Sequence, residues 1–231
     1  MDVLWDALGD ALRLLLRGDA ETYEIIWLSL RVSLTATAIA FLLGIPLGMA
    51  LAYARFPGRR PALALVNTGM GMPPVVVGLV VTVALWRSGP LGSLGLLFSP
   101  TAMIVAQALI GFPLVAGLSA AAFQQIDPDF RVQMQALGAS PVRALWEVAR
   151  EARLPLIAAG MATFGALISE VGAAMMVGGN IAGETRVLTT AAVLEASRGD
   201  FALAIALGLI LLGVAFAVNL GLTALQQRGA T

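Results

Sequence analysis

Five long apolar runs, each long enough for a membrane-spanning helix, constrain this chain more than any other feature. A helix needs about 20 largely apolar residues to cross a bilayer. Only one of the five runs contains a charged side chain, Glu170. The predicted spans are residues 32–54, 61–86, 99–123, 154–182 and 201–227. The sequence therefore predicts an all-α polytopic membrane protein, with a single transmembrane domain over residues 1–231.

Composition narrows the chemistry that the chain can perform. Hydrophobic residues make up 59% of it and charged residues 12%, against about 25% charged residues in an ordinary soluble domain. All 14 basic residues are arginine, so lysine, histidine and cysteine are absent. This excludes disulfides, zinc and haem sites, histidine or thiol catalysis, and the lysine of a P-loop. We expect a transport subunit embedded in membrane lipid, with no catalytic residue, metal site or cofactor of its own and no role in binding nucleic acid.

The arginines predict an orientation. An odd number of spans places the termini on opposite sides, and cytoplasmic loops carry an excess of basic residues. Eight arginines fall on one side and six on the other: Arg55, Arg59, Arg60, Arg131, Arg143, Arg150, Arg153 and Arg228 against Arg13, Arg17, Arg31, Arg87, Arg186 and Arg198. The sequence therefore predicts an external N-terminus and a cytoplasmic C-terminus.

The N-terminal segment, residues 1–24, is too polar to span but has the pattern of an amphipathic helix. Charged residues recur every three or four positions on one face, and apolar residues occupy the other. The charged face is Asp2, Asp6, Asp10, Arg13 and Arg17; the apolar face is Leu4, Leu8, Ala11, Leu12 and Leu15. We expect a helix lying in the membrane interface. A docking surface for a partner is the alternative.

The longest polar insert, residues 124–153, contains two helix-start signals. Asp127 and Ser140 each precede a proline, an arrangement that caps a helix and suits its first position. Gly138 lies between them, where a glycine can end a helix in the left-handed conformation. The insert is therefore predicted to form two short helices joined by a tight turn. It is either a well-folded connector or a rigid element that another protein grips.

On the second of these helices, Arg143 and Glu147 are four residues apart, a spacing at which the two side chains can pair.

Within the spans, Glu170 is the one deeply placed acid, and an unpaired charge there costs at least a few kcal/mol. It is expected to pair with Arg31 or a backbone group, or to act as a gate or helix-registering residue. Pro73 and Pro74 remove two backbone donors and predict a kink in the second span. This kink either shapes a vestibule or improves packing.

The loop over residues 177–200 offers hydroxyl and amide groups suited to a hydrated oxyanion. They belong to Asn180, Thr185, Thr189 and Thr190. The pathway prediction therefore combines Asn180, Thr189 and Thr190 with Glu170 and the proline pair. A solvated polar loop is the alternative.

Residues 135–141 resemble the cytoplasmic loop of binding-protein-dependent ABC importer permeases. The motif of that family is Glu-Ala-Ala, three residues, Gly, nine residues, Ile-x-Leu-Pro. Gly138 matches its glycine and Leu154-Pro155 its end, although Val132-Gln133-Met134 replaces Glu-Ala-Ala and the Leu-Pro comes four residues late. The added helical turn preserves the helical face but alters its reach. The resemblance implies a type I importer fold and an ATPase-coupling role for Gln135, Ala136, Leu137, Gly138, Ala139, Ser140, Pro141 and Arg143.

Further stretches narrow the resemblance to the tungstate and molybdate permeases, closest to the tungstate type. They are residues 168–181, 185–190, 199–201, 31–35 and 72–78. The resemblance implies a permease in the inner membrane of a prokaryote, present in two copies. It also implies two cytoplasmic ATPase subunits that bind ATP and magnesium, and an external oxyanion-binding protein. Molybdate and sulfate are the alternative substrates. A secondary anion transporter is more remote, since those commonly show repeats and several membrane carboxylates.

Overall fold

The computed structural model describes the backbone of residues 2–228, and the side chains of that range except those of residues 2–6, 8, 17, 128, 225 and 228. The described residues form α-helices and one short 3-10 helix, Gly92–Leu94. The helices are α1 (Asp2–Arg17), α2 (Ala20–Tyr53), α3 (Arg59–Met70), α4 (Pro74–Leu85), α5 (Pro100–Gln124), α6 (Pro128–Ala136), α7 (Pro141–Glu151), α8 (Arg153–Ile168), α9 (Gly172–Gly178), α10 (Leu188–Ser197) and α11 (Phe201–Arg228). The predicted all-α class is confirmed.

Helices α2 and α5 form the central pair, and small residues allow their backbones to approach closely. A Cβ atom added at Gly44 would lie 2.8 Å from the Cβ of Val115, and one added at Gly48 would lie 2.7 Å from the Cβ of Ser119. Neither position could therefore carry a larger side chain without separating the two helices.

Within the described range, three helices are long and apolar enough to cross a membrane: α2, α5 and the stretch Phe201–Ala224 of α11. Helix α2 begins twelve residues before the predicted start at residue 32. Glu21, Glu24 and Arg31 interrupt the apolar run, but their exposed positions on one continuous helix do not end it. The side chain of Asp19 accepts a hydrogen bond from Thr22 N and caps the helix at its true start.

The second predicted span, residues 61–86, is broken rather than kinked. Helix α3 ends at Met70, α4 begins at Pro74, and the two helices are bent by 100°. Two successive prolines remove backbone donors, and the residue before a proline disfavours helical geometry. Pro73 is accordingly extended, with φ −60° and ψ 123°, and Pro74 is the first helical residue.

The fourth predicted span, residues 154–182, is wrong as one continuous helix. Helix α8 ends at Ile168 and α9 begins at Gly172. Side chains satisfy the backbone groups at this break: Ser169 Oγ donates to Gly165 O at 2.8 Å, and Glu170 Oε1 accepts from Ala173 N at 3.0 Å. Helices α7 and α8 form instead a second bent pair, at 64°, long and apolar enough to span. The described residues thus offer three straight spans, or five with both bent pairs.

The N-terminal helix ends earlier than predicted and packs on the last helix. Gly18 adopts the left-handed conformation, with φ +69°, so α1 stops at Arg17 instead of continuing to residue 24. Buried Ala11 belongs to one apolar cluster with Ala206 and Ile210 of α11. Helix α11 therefore covers part of the apolar face that the sequence assigns to the membrane interface. The side chains of Asp2, Leu4, Asp6, Leu8 and Arg17 lie outside the described residues.

The two ends of the chain lie at opposite ends of the bundle. Asp10 of α1 and Asp200, just before α11, line one cavity. At the far end of α11, Gln226 Nε2 donates to Leu154 O at 3.4 Å, beside the insert. This arrangement agrees with an odd number of crossings. Which end faces the cytoplasm stays a prediction, and the side chain of Arg228 lies outside the described residues.

Candidate coupling segment and translocation site

The insert, residues 124–153, folds as the two predicted short helices α6 and α7. Asp127 Oδ1 accepts from Asp129 N at 2.8 Å, and Ser140 Oγ accepts from Arg143 N at 3.3 Å. Both predicted N-terminal caps are confirmed. Because each cap satisfies an otherwise unpaired backbone donor, each helix start is defined by its own local sequence.

Gly138 forms the turn between these helices in the predicted left-handed conformation, with φ +89°. Gly138 N donates to Gln135 O at 2.9 Å, and Ala139 N donates to Met134 O at 3.0 Å. This pair of bonds is the Schellman pattern that ends many helices. Apart from its chain neighbours, no heavy atom of the described residues lies within 4 Å of a Cβ added at Gly138. A side chain there would consequently meet conformational strain but no steric clash.

Helix α7 is amphipathic and presents large apolar side chains outward. Ala144 and Val148 are buried, and Val148 belongs to the cluster of Phe123 and Leu156 at the ends of α5 and α8. On the outer side, Val142 is 78% exposed and Trp146 70% exposed, and Leu137, at the end of α6, is 80% exposed. Such an apolar patch is typical of a surface that a partner covers.

The sequence prediction of this surface was incomplete. It includes Leu137 but misses Val142 and Trp146, which the amphipathic pattern of α7 could have revealed. The predicted pair of Arg143 and Glu147 is also wrong, because Glu147 pairs with Arg150 instead, at 3.8 Å. The remaining predicted coupling residues, Gln135, Ala136, Ala139 and Pro141, lie at the ends of α6 and α7 around the turn.

Glu170 lies in the break between α8 and α9 and binds backbone there. Its carboxylate accepts from Ala173 N in the first turn of α9, and its carbonyl oxygen accepts from Thr189 Oγ1 at 3.1 Å. No ion pair among the described side chains includes Glu170 or Arg31. Of the two structural partners predicted for Glu170, the backbone group is therefore confirmed and Arg31 is wrong. The gating role stays a prediction.

The proline pair places α4 directly against α9. A Cβ added at Gly78 would lie 2.7 Å from the Cα of Ala173, and one added at Gly172 would lie 2.6 Å from Val75 Cγ2. The break at Pro73 and Pro74 thus sets the angle at which α4 meets the Glu170 region. The structure thereby brings together two features that are about 100 residues apart in sequence.

The threonines after α9 are buried, so the solvated-loop alternative is wrong for them. Thr185 and Thr190 are 0% exposed and Thr189 is 6% exposed. Thr185 Oγ1 donates to Gly178 O at 2.6 Å, and Thr190 Oγ1 donates to Val187 O at 3.0 Å. The hydroxyl proton of Thr185 therefore fastens the loop to the end of α9, and that of Thr190 is used within the first turn of α10. A role for them as direct ligands of an anion stays a prediction.

Asn180 adopts a left-handed conformation, with φ +53°, and its Nδ2 donates to Thr190 O at 3.3 Å. Its Oδ1 is buried without a hydrogen-bond partner in the part of the chain that the structure describes. A role for Asn180 as a direct ligand of an anion stays a prediction.

Comparison with known proteins identifies the group to which this architecture belongs. Residues 44–230 match the family of binding-protein-dependent transport system inner membrane components. The chain belongs to this family. It is thus a multi-pass inner-membrane permease subunit of ABC importers and not itself catalytic, and membership implies an ATPase and a binding protein as partners. The family resemblance seen in the sequence is confirmed.

Three relatives illustrate how close the likeness to other permeases is. The tungstate uptake system permease protein TupB of Peptoclostridium acidaminophilum is 42% identical over 227 residues, covering 98% of this chain and 100% of the relative. TupB of Campylobacter jejuni is 34% identical, covering 95% and 92%. The molybdenum transport system permease protein ModB of Mycobacterium tuberculosis is 32% identical, covering 85% and 77%.

Among solved structures, the permease fold is similar to a chain of the inward-facing MetNI methionine ABC transporter. The TM-score is 0.75 with 18% sequence identity, covering 91% of this chain and 97% of that one. At this identity the likeness concerns the fold alone, and it confirms the predicted type I importer architecture.

Proposed function

We propose that this chain is the permease of an ATP-driven importer for a tetrahedral oxyanion, and that tungstate is its substrate. The observation that carries the proposal is the insert, whose capped helices hold an exposed apolar patch at one end of the bundle. A rigid element joined to the spans through Phe123 and Leu156 is suited to transmitting a movement from an ATPase. The assignment of tungstate is supported by the 42% identity with a tungstate uptake permease.

The working unit that we propose has two copies of this permease and two ATPase subunits. One chain has too few spans to enclose a pathway, so the pathway would lie between two copies. ATP and magnesium would bind to the partner subunit, because this chain has no lysine with which to form a P-loop. The insert and the C-terminus would face the cytoplasm, where the ATPase is, and the N-terminus would be external.

Capture of the anion with high affinity would belong to the external binding protein. The described part of the pathway region supports this division, because the hydroxyl groups of Thr185 and Thr190 are already used internally. Within the permease, Glu170, Pro73 and Pro74 would shape the pathway and its gate. Asn180, Thr189 and Thr190 would hold that shape.

Uptake of radioactive tungstate into cells lacking this gene, with and without the gene restored, tests the substrate. Unlabelled tungstate should compete best, followed by molybdate, with sulfate weakest. If molybdate competes more strongly than tungstate, the substrate is molybdate and the assignment of tungstate is wrong. Uptake that continues without the ATPase gene would favour a secondary transporter.

Co-purification tests the assembly separately. The tagged permease should bring down an untagged second copy and an ATPase, and only the complex should hydrolyse ATP. ATP hydrolysis by the permease alone, above a mock preparation, would contradict the assignment of nucleotide chemistry to the partner.

A further inference from the structure

A basic cavity lies where the insert meets the ends of the central helix pair. Its volume is about 710 Å³, and it is lined by the last residues of α2 and α5, the start of α3 and part of α6. Three arginines contribute to its wall: Arg55, Arg59 and Arg131. We refer to it as the arginine pocket.

Two of these guanidinium groups are held in place by the protein. Arg59 Nε donates to Leu51 O at 2.7 Å and its Nη2 donates to Ala52 O at 3.3 Å, so Arg59 caps the carboxyl end of α2. The guanidinium carbon of Arg131 lies 5.8 Å from the ring centroid of Tyr53, in a cation–π contact. The third arginine, Arg55, is exposed at the rim.

The positive charge of the pocket is not neutralised by the described part of the protein. No aspartate or glutamate is among the described residues that line it. The ion pairs between described side chains involve other arginines: Arg13, Arg150, Arg186 and Arg198. The nearest acids in sequence are Asp127 and Asp129, and the carboxylate of Asp127 is used to cap α6. Three arginines around one cavity without a carboxylate make a site for an anion.

The position of the pocket favours the anion of a lipid. Helices α2 and α5 are candidate spans, and the pocket lies where both end. The ends of spanning helices lie at the depth of the lipid headgroups, and basic pockets at this depth bind acidic headgroups. Guanidinium groups also match phosphate oxygens in a bidentate geometry that an ammonium does not offer.

We propose that the arginine pocket binds the phosphate group of an anionic phospholipid. The bound headgroup connects Arg55 and Arg59, at the end of α2 and the start of α3, to Arg131 on α6. It thereby fastens the insert to the membrane-embedded helices. The inference stands on the pocket itself and does not depend on which substrate the permease carries.

Native mass spectrometry of the purified full-length chain in detergent tests the proposal. The chain is titrated with phosphatidylglycerol, with phosphatidylcholine and with inorganic phosphate. Phosphatidylglycerol should bind more tightly than the other two. Because a basic residue near a membrane surface contributes about a fivefold factor in affinity for acidic lipid, Arg55→Gln and Arg131→Gln should each weaken phosphatidylglycerol binding about fivefold.

Two further variants keep the test specific. Arg150→Gln removes an arginine at the same end of the bundle but outside the pocket, and it should leave phosphatidylglycerol binding unchanged. Arg131→Lys keeps a positive charge near Tyr53. It should therefore bind phosphatidylglycerol more tightly than Arg131→Gln, even if both substitutions weaken the contact with Tyr53. Equal loss in Arg150→Gln, or equal binding of the two lipids, would overturn the proposal.

Inorganic phosphate separates the two sources of the same chemistry. If inorganic phosphate binds as tightly as phosphatidylglycerol and with the same arginine dependence, the assignment to lipid is overturned in favour of a free-phosphate site. If the arginine variants still bind phosphatidylglycerol but no longer co-purify with the ATPase, the pocket is a contact with that protein and the proposal fails.

Discussion

The carboxylate of Glu170 accepts a hydrogen bond from the backbone N–H of Ala173, at 3.0 Å, across the break between α8 and α9. The one acid in the fourth apolar run thus helps to start helix α9. Its carboxylate has a backbone N–H as hydrogen-bond donor. Ala173 is also the residue against which Gly78 of α4 packs. The hydrogen bond from Glu170 and the packing of α4 therefore both hold the start of α9 in place.

Glu170 should matter for assembly more than for the choice of anion. Glu170→Gln keeps an oxygen that can accept from Ala173 N, so the ratio of tungstate to molybdate uptake should stay unchanged. Glu170→Ala removes the acceptor, and loss of such a helix cap costs about 1 kcal/mol. Uptake by both variants and their detergent stability should be compared. A changed anion ratio in Glu170→Gln, at normal expression and ATPase coupling, would contradict this role.

The turn at Gly138 should transmit movement between the permease and the ATPase. Gly138→Val forces a branched side chain into the left-handed conformation, at about 1–2 kcal/mol, and changes the angle between α6 and α7. The protein should reach the membrane but lose stimulated ATP hydrolysis and uptake. Crosslinks from Ser140 or Arg143 to the ATPase should weaken in this variant.

Gly199 offers a matched control for that experiment. Its φ is +83°, and no heavy atom in the described part of the chain, its chain neighbours aside, lies within 4 Å of an added Cβ. It lies, however, at the turn before α11. Gly199→Val should cost a similar local strain without affecting ATP hydrolysis. If Gly138→Val transported normally, or if Ser140 crosslinked only to an external binding protein, the coupling role and the proposed orientation would both be wrong.

Trp146 should anchor the ATPase on the exposed face of α7. A tryptophan at the centre of an interface contributes about 2 kcal/mol or more, so Trp146→Ala should weaken the affinity for the ATPase about thirtyfold. The stability of the permease alone should hardly change, because the side chain is 70% exposed. Val148→Ala, on the buried face, should instead lower the melting temperature. Unchanged ATPase affinity in Trp146→Ala would remove this face from the interface.

Gly78 should be needed for the contact between α4 and α9. The Cβ atom of Gly78→Ala would lie 2.7 Å from the Cα of Ala173, a backbone atom that cannot turn away. Overpacking of this kind costs about 1–3 kcal/mol, so the melting temperature in detergent should fall. Gly213→Ala is the control, because no atom of another described element lies within 4 Å of a Cβ added there. Equal stability of the two variants would show that α4 can shift freely.

Local features of the molecule could be predicted from the sequence alone. The two helix caps, at Asp127 and Ser140, and the left-handed turn at Gly138 depend on interactions within a few residues. The adjacent sequence is therefore enough to predict them. Three of the five apolar runs likewise form helices of spanning length among the described residues, because backbone groups in lipid must be satisfied within the segment. The family resemblance likewise rests on short stretches of sequence, such as residues 135–141 and 168–181.

The tertiary structure alone decided which polar groups are buried and which partners they bind. The prolines themselves break the second apolar run, but the contact of α4 with α9 and the burial of Thr185 and Thr190 depend on how the helices pack. The packing of the helices also explains why the carboxylate of Glu170 binds Ala173 N and does not pair with Arg31. A periodic pattern records which residues are apolar, but the partner of a polar side chain is set by surfaces that are distant in sequence and meet only in the folded bundle.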